Sequence, residues 1–177
     1  STPMEITDPN LVVHYTMDNA AGGILIDQSG HGNVGTLVGD PQLVNVGGRT
    51  ALELDGDGDF VDAGNDSAFD IPVNITVAAW VNVAQFDKSW QAIVTKGDSS
   101  WRLHRSSSSN NIAWGTSGLD PTDLTGTVEV TDGEWHHLVG VYDGAQKLLY
   151  TDGVLDVAED STGNINSATH SVNIGEN

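Results

Sequence analysis

Residues 134–158 read Glu134-Trp135-His136-His137-Leu138-Val139-Gly140-Val141-Tyr142-Asp143-Gly144-Ala145-Gln146-Lys147-Leu148-Leu149-Tyr150-Thr151-Asp152-Gly153-Val154-Leu155-Asp156-Val157-Ala158. Three apolar-rich runs of strand length, 134–142, 147–151 and 154–158, are separated by Asp143-Gly144 and Asp152-Gly153. Asp-Gly fits the positive φ values of tight hairpin turns, so the stretch reads as an antiparallel meander. Successive strand residues point to opposite faces. Trp135, His137, Val139 and Val141 therefore share one face, and His136, Leu138 and Tyr142 share the other, so both faces are partly covered.

The same grammar extends in both directions. Short apolar runs at 11–15, 51–54, 75–83 and 92–95 are punctuated by Gly, Asn and Asp, and further Asp-Gly pairs occur at Asp55, Asp57 and Asp132. No window sustains a helical stripe over three turns, and no repeat of solenoid period is present. A single open sheet would leave a whole apolar face in water, so the expected fold is all-β, a two-sheet antiparallel jelly-roll sandwich. Residues 1–9, with Pro3 and Pro9, read as a linker or lead-in, and 10–177 as one β-sandwich domain. Trp80, inside the apolar run Val77-Ala78-Ala79-Trp80-Val81, reads as a core residue. Asp55-Gly56-Asp57-Gly58-Asp59 superficially matches a calcium loop of the helix-loop-helix type. Its sixth position is Phe60 rather than Gly and its twelfth is Asp66 rather than Glu, so a tight hairpin between Leu54 and Phe60 is the better reading.

The chain has 177 residues and 38% apolar content, enough for one domain with a proper core. It carries 25 acids against 6 bases, a formal net charge of -19. Such a field disfavours nucleic acid and anionic membrane surfaces as partners. Asp outnumbers Glu by 19 to 6, a bias toward turns and oxygen-ligand sites rather than acidic helices. Cysteine is absent, so no disulfide, thiolate zinc site or thiol nucleophile is available. No apolar run has the length of a membrane span or a signal-peptide core, which fits a soluble processed chain or an excised domain.

Several segments, taken in order, resemble the laminin-G-like domains of the concanavalin A-like lectin and glucanase superfamily, especially the bacterial extracellular type. They are His14-Tyr15-Thr16-Met17-Asp18, the run from Asp27-Gln28-Ser29-Gly30 through Asn33-Val34-Gly35-Thr36, Leu52-Glu53-Leu54-Asp55-Gly56, Asp59-Phe60-Val61, Val77-Ala78-Ala79-Trp80-Val81, Ile93-Val94-Thr95-Lys96, Asp132-Gly133-Glu134-Trp135-His136-His137 and Leu149-Tyr150-Thr151-Asp152-Gly153. The resemblance implies a secreted or cell-surface protein and a structural Ca2+ held around Asp18, Asp27, Asn33 and Thr36, a set of hard oxygen donors. Read without the resemblance, Asp27-Gln28-Ser29-Gly30 is equally an ordinary Asx turn. The resemblance also implies a final strand with a Gly-x-Ile-Asp-Asp-like sequence beyond a segment like Ser171-Val172-Asn173-Ile174-Gly175. The sequence stops at Asn177, and a sandwich without that strand would offer an open sheet edge to a protein partner.

Four of the six basic residues lie within 88–105, together with Trp90, Trp101 and His104. Sugars present apolar C–H faces rimmed with hydroxyls, so an aromatic plate beside polar forks suits a glycan. On that basis the candidate ligand-binding residues are Trp90, Arg102, His104, Arg105 and Trp114, with Trp101 in the core beside Leu103 and the basic cluster suggesting a carboxylated or sulfated polysaccharide. The competing reading is that these bases offset the acidic field and the indoles pack. Retaining glucanases of the superfamily use carboxylates two residues apart on one strand. Glu129, Asp132 and Glu134 are spaced three and two, so no catalytic residues are assigned. His136 and His137 point to opposite faces and cannot chelate one ion from the same side. The resulting expectation is a noncatalytic, calcium-stabilised carbohydrate-binding or adhesion module of a larger extracellular protein. A structural subunit using its sheet edge is the alternative, and a polysaccharide-degrading enzyme fits the sequence least.

Overall fold

The computed structural model describes residues 8–18 and 20–176; expectations that fall on residues 1–7, Asn19 and Asn177 lie outside these. Fourteen strands are present among the described residues: β1 (Ile24–Leu25), β2 (Gly35–Val38), β3 (Gln42–Val46), β4 (Arg49–Glu53), β5 (Phe60–Asp62), β6 (Ile75–Asn82), β7 (Ala92–Thr95), β8 (Trp101–Arg105), β9 (Asn111–Thr116), β10 (Asp123–Glu129), β11 (Trp135–Tyr142), β12 (Gln146–Thr151), β13 (Val154–Asp160) and β14 (Asn173–Ile174). One short 3-10 turn, Ser67–Phe69, is capped by the Asp66 side chain. The larger sheet runs β1-β2-β5-β14-β7-β8-β9-β10, the smaller runs β13-β12-β11-β6, and β3 with β4 forms a separate ribbon. Every pairing is antiparallel.

The expected meander forms. β11 pairs with β12 and β12 with β13, and the second turn has positive φ at both Asp152 (53°) and Gly153 (78°), the geometry that joins right-twisted strands in two residues. Along β11 burial alternates strictly, with His136, Leu138, Gly140 and Tyr142 inward. The core between the sheets contains Trp101, Leu103, Ile112 and Trp114 from the larger sheet and Leu138, Tyr142 and Leu149 from the smaller. Trp114 is fully buried, and a Cβ added to Gly140 would lie 2.5 Å from its ring. The indole N–H donates to the Val141 carbonyl at 3.1 Å. One side of the sandwich is closed by Asp156 of β13, whose carboxylate accepts from the Thr127 backbone N–H (2.9 Å) and hydroxyl (2.6 Å) on β10.

Three local expectations are corrected. Residues 11–15 join no ladder, although Val12, Val13 and Tyr15 still pack on the core. Residues 55–59 are not a hairpin: β4 pairs with β3, and β5 pairs with β2 and β14, so this acidic stretch carries the chain from the ribbon into the larger sheet. Its Asp59 is buried and accepts from the Asp40 N–H at 2.8 Å. Trp80 is not core. It stands on the outer face of edge strand β6 with 50% of its surface exposed, because the inward positions of that strand are Ile75, Val77, Ala79 and Val81.

His136 bridges two Asp-Gly turns. Its Nδ1 lies 2.8 Å from an Asp152 oxygen and its Nε2 3.2 Å from one of Asp132. Burial alone pulls the imidazole pKa down, but hydrogen bonds to both carboxylates and their charges outweigh it, so the net direction is upward. Asp132 and Asp152 are both lowered in the folded protein. A raised histidine stabilises fully below its unfolded value of about 6.5 and loses that contribution as pH rises through the folded value. Lowered carboxylates stabilise above about 3.9 and lose their contribution as pH falls through the folded values. His136→Gln should therefore lower the melting temperature most between about pH 4 and pH 6.5, with the gap to the parent narrowing at higher pH; thermal melts across pH check this. Gly140→Ala should cost about 1–3 kcal/mol or more in urea unfolding, because the methyl enters space filled by Trp114.

Candidate functional site

The larger sheet presents a built polar surface on its outer face at β8, β9 and β10. Trp114 points inward, so its neighbours Ala113 and Gly115 lie on the outer face, where these small residues are buried beneath larger neighbours. Register places Arg102 and Asp123 on either side of Gly115, and His104 and Thr125 on either side of Ala113. A Cβ at Gly115 would lie 2.8 Å from an Asp123 oxygen and 2.9 Å from the Arg102 Cγ. Glycine there is what lets the two charged side chains meet.

Trp90 lies over this cluster. It precedes β7 in a loop and adopts φ +61°, a left-handed conformation that is a genuine outlier for a bulky residue and is costly enough to need support from its surroundings. Its backbone N–H donates to the Ser107 carbonyl at 2.9 Å. The ring then folds back over the sheet, 5.7 Å from the His104 ring and 5.7 Å from the Arg102 guanidinium, with 41% of the residue exposed. Beneath it, Arg102 Nη1 is paired with Asp98 and Nη2 lies 3.9 Å from Asp123. His104 Nδ1 donates to the Arg105 carbonyl at 2.8 Å, and Nε2 is 3.4 Å from Asp123. The His104 hydrogen bond does most to hold the Asp123 carboxyl below its ordinary range; burial opposes it, and the charges of His104, Arg102 and Lys147 add to it. Thr95, next to Arg102 in register, is fully buried and its hydroxyl has no partner among the described residues; the same holds for the Asn173 side-chain oxygen across from it.

The structure thus brings Trp90, Arg102 and His104 together and separates two other expected residues from them. Trp114 is excluded as a ligand contact because it is the centre of the core. Arg105 points to the other face of β8, over Phe86, and donates to the carbonyls of Lys88, Ser108 and Ser109 at 2.7–2.8 Å. It ties together the loops that position Trp90. His104 is itself buried and works as a support under the indole rather than as a contact. Asp98, Gly115 and Asp123 were missed. The alternation of Asp123 and Thr125 opposite Ala113 and Gly115 was the available signal, and it becomes readable only once the strand register is known.

The expected calcium ligands do not assemble. Both Asp27 oxygens are already saturated: one accepts from the His14 and Ser29 N–H groups at 3.0 and 2.8 Å, the other from the Ser29 hydroxyl and the Asn33 N–H at 2.7 and 3.0 Å. Burial opposes ionisation of this carboxyl, but the hydrogen bonds prevail and its pKa is lowered. The Asn33 amide donates to the Val12 carbonyl, Asp18 accepts from the Thr16 hydroxyl, and Thr36 faces Asp62 on the larger sheet. A hard cation needs free oxygens converging on one point, and no group of three or more histidine or carboxylate side chains able to hold one exists among the described residues. Asp27 is the organiser of an Asx-type loop instead.

A family model, Laminin_G_3 of the concanavalin A-like lectin/glucanases superfamily, matches residues 55–177. No curated protein matches the sequence. Among solved structures, the chain is similar to the binding domain of Paraclostridial Mosquitocidal Protein 1, with 12% identity over 88% of this chain and 42% of that one and a TM-score of 0.71. It is similar to domain 4 of AbnA, a GH43 extracellular arabinanase from Geobacillus stearothermophilus solved with arabinotriose, with 17% identity over 93% of this chain and 82% of that one and a TM-score of 0.68. A third is the receptor-binding domain of botulinum neurotoxin mosaic serotype C/D, with 19% identity over 91% and 41% and a TM-score of 0.65. The chain therefore spans about two fifths of the toxin chains and most of the arabinanase domain. At these identities the likeness establishes the all-β sandwich.

With the Asp27 carboxylate committed to four donors, thermal melts in millimolar calcium and in excess chelator should coincide. A higher melting temperature in calcium would show that a cation binds the folded state.

Proposed function

The chain belongs to the Laminin_G_3 family of the concanavalin A-like superfamily, and from that premise we propose that it is a noncatalytic glycan-binding module of a larger extracellular protein. The observation that carries the reading is Trp90, an indole held in a left-handed backbone conformation over Arg102 and His104 with one side open to solvent. An indole face takes the apolar side of a pyranose or furanose ring, while Asp98, Asp123 and the Arg102 N–H groups supply acceptors and donors for its hydroxyls. The arabinotriose complex of the similar arabinanase domain supports a sugar as the ligand class.

The paired charges beneath Trp90 favour neutral sugars, which revises the expectation of an anionic one drawn from the basic cluster. Arg102 already shares its charge between Asp98 and Asp123, so an incoming carboxylate would meet two fixed carboxylates rather than a free cation. The noncatalytic part of the proposal rests on carboxylate placement. Glu129 ends β10 in one sheet, Asp132 is held by His136 in the crossing segment, and Glu134 precedes β11 of the other sheet, so they do not flank one bond as hydrolysis demands.

A second reading is supported by strand β6. It is an edge of the smaller sheet and pairs only with β11 among the described residues, which leaves a row of backbone groups available for strand addition by a protein partner.

Calorimetric titration with arabino-oligosaccharides and a panel of other neutral oligosaccharides tests the glycan reading. Trp90→Ala should weaken the bound sugar about tenfold or more, roughly 1.4 kcal/mol, without lowering the melting temperature. Unchanged affinity in that variant, or no binding across the panel, would sink the assignment and leave the edge-strand reading.

A further inference from the structure

The charged groups of five of the six basic residues are engaged within the protein. Lys88 donates to the Gly56 carbonyl, and Lys96 is held by Asn65, His170 and Asp70. Arg102 is paired with carboxylates, and Arg105 and Lys147 donate to backbone carbonyls. Arg49 differs. Among the described residues its guanidinium has neither a hydrogen bond nor an ion pair, in a chain with 25 carboxylates. It stands at the start of β4, over the outer face of the smaller sheet, 4.2 Å from the centroid of Trp80 and 6.0 Å from that of Trp135. The fold places it there, since the Trp135 N–H donates to the Val46 carbonyl at 3.1 Å and anchors the tip of the ribbon.

Trp80 stacks in turn on His137, its cross-strand partner, at 4.9 Å. Three planar groups that carry N–H donors are therefore lined up on one face: guanidinium, indole and imidazole. Neither the Trp80 N–H nor the His137 ring has an acceptor among the described residues. Further along the same face the register brings Ala78, Val139, Tyr150 and Leu155 into a row without a carboxylate; the Asp152 carboxylate borders the His137 end, where it accepts from the His137 backbone N–H at 2.8 Å and is hydrogen-bonded to His136.

We infer that Arg49, Trp80 and His137 form a second binding site, distinct from Trp90, that takes a carboxylate-bearing sugar residue. A guanidinium offers a planar fork matched to a carboxylate, and stacking on Trp80 restrains it and limits the side-chain entropy lost on binding. The exposed indole gives the sugar's C–H groups an apolar neighbour. The charge of -19 opposes a dense polyanion, but its long-range part is screened beyond about 8 Å at physiological salt. A short oligouronide fits this balance better than a long, uniformly charged polymer.

Trigalacturonic acid and its methyl ester, titrated by calorimetry with tryptophan fluorescence as a second readout, test the site. The acid should bind, and the ester should bind about tenfold more weakly or worse, a difference of roughly 1.4 kcal/mol. Arg49→Gln should abolish the preference for the acid, Trp80→Ala on the exposed face should weaken binding of it, and Trp90→Ala should leave it unchanged. Equal binding of acid and ester, no binding of the acid, or loss in Trp90→Ala with retention in Arg49→Gln would each overturn the proposal. Triglutamate binding as tightly as trigalacturonate would overturn the sugar assignment in favour of an acidic peptide.

Discussion

Trp114 against Gly140 is the contact on which the rest of the sandwich depends. The indole fills the space between the sheets where the opposite strand has no side chain, and its N–H is satisfied by the next carbonyl along that strand. Packing at interior density leaves no slack for a different register or sheet spacing. The consequence reaches the outer surface, because a strand that commits one residue inward commits its neighbours outward. Ala113 and Gly115 lie on the outer face for this reason, buried under their neighbours' side chains, and their small size lets Arg102 and Asp123 meet across β9 with Trp90 above them. The core and the candidate ligand site are two sides of the same three residues.

The acidic surplus is mostly spent on backbone. Asp27, Asp59, Asp143, Asp152 and Asp156 each accept from main-chain N–H groups at turns or strand edges, where short carboxylates satisfy donors that no ladder reaches. This explains why Asp dominates over Glu without any metal being invoked. Apart from Arg49, the few cations are engaged within the protein in the same economical way, with Lys147 buried among carbonyls at a pKa pushed down to about 8 by burial.

The fold was legible where period and turn chemistry agreed. The meander from β11 to β13 and the spans of β6 and β7 follow from apolar alternation and Asp-Gly turns alone. Segment 11–15 has the same apolar character but no strand partner, its backbone being held by Asp27, Gln28, Ser29 and Asn33 instead, a fact of tertiary arrangement that no local pattern encodes. The two misplaced tryptophans were exchanged for a related reason. Trp80 sits in a run apolar on both faces, so periodicity could not say which face was outside, and Trp114 sits between small residues that give no amphipathic signal. Of the candidate site, the cluster of Trp90, Arg102 and His104 was visible in composition, whereas Asp98 and Asp123 enter only through long-range pairing.

The position of β14 has a temporal meaning. Asn173 pairs with Asp62 on one side and Thr95 on the other, so the middle of the larger sheet is joined by a strand made after all of its neighbours. Loops of this span must be closed before their contacts reward them. A ribosome could release every residue through the end of β10 at Glu129 and still leave two half-sheets with exposed edges. The larger sheet can therefore close only once β14 is available to join its two halves.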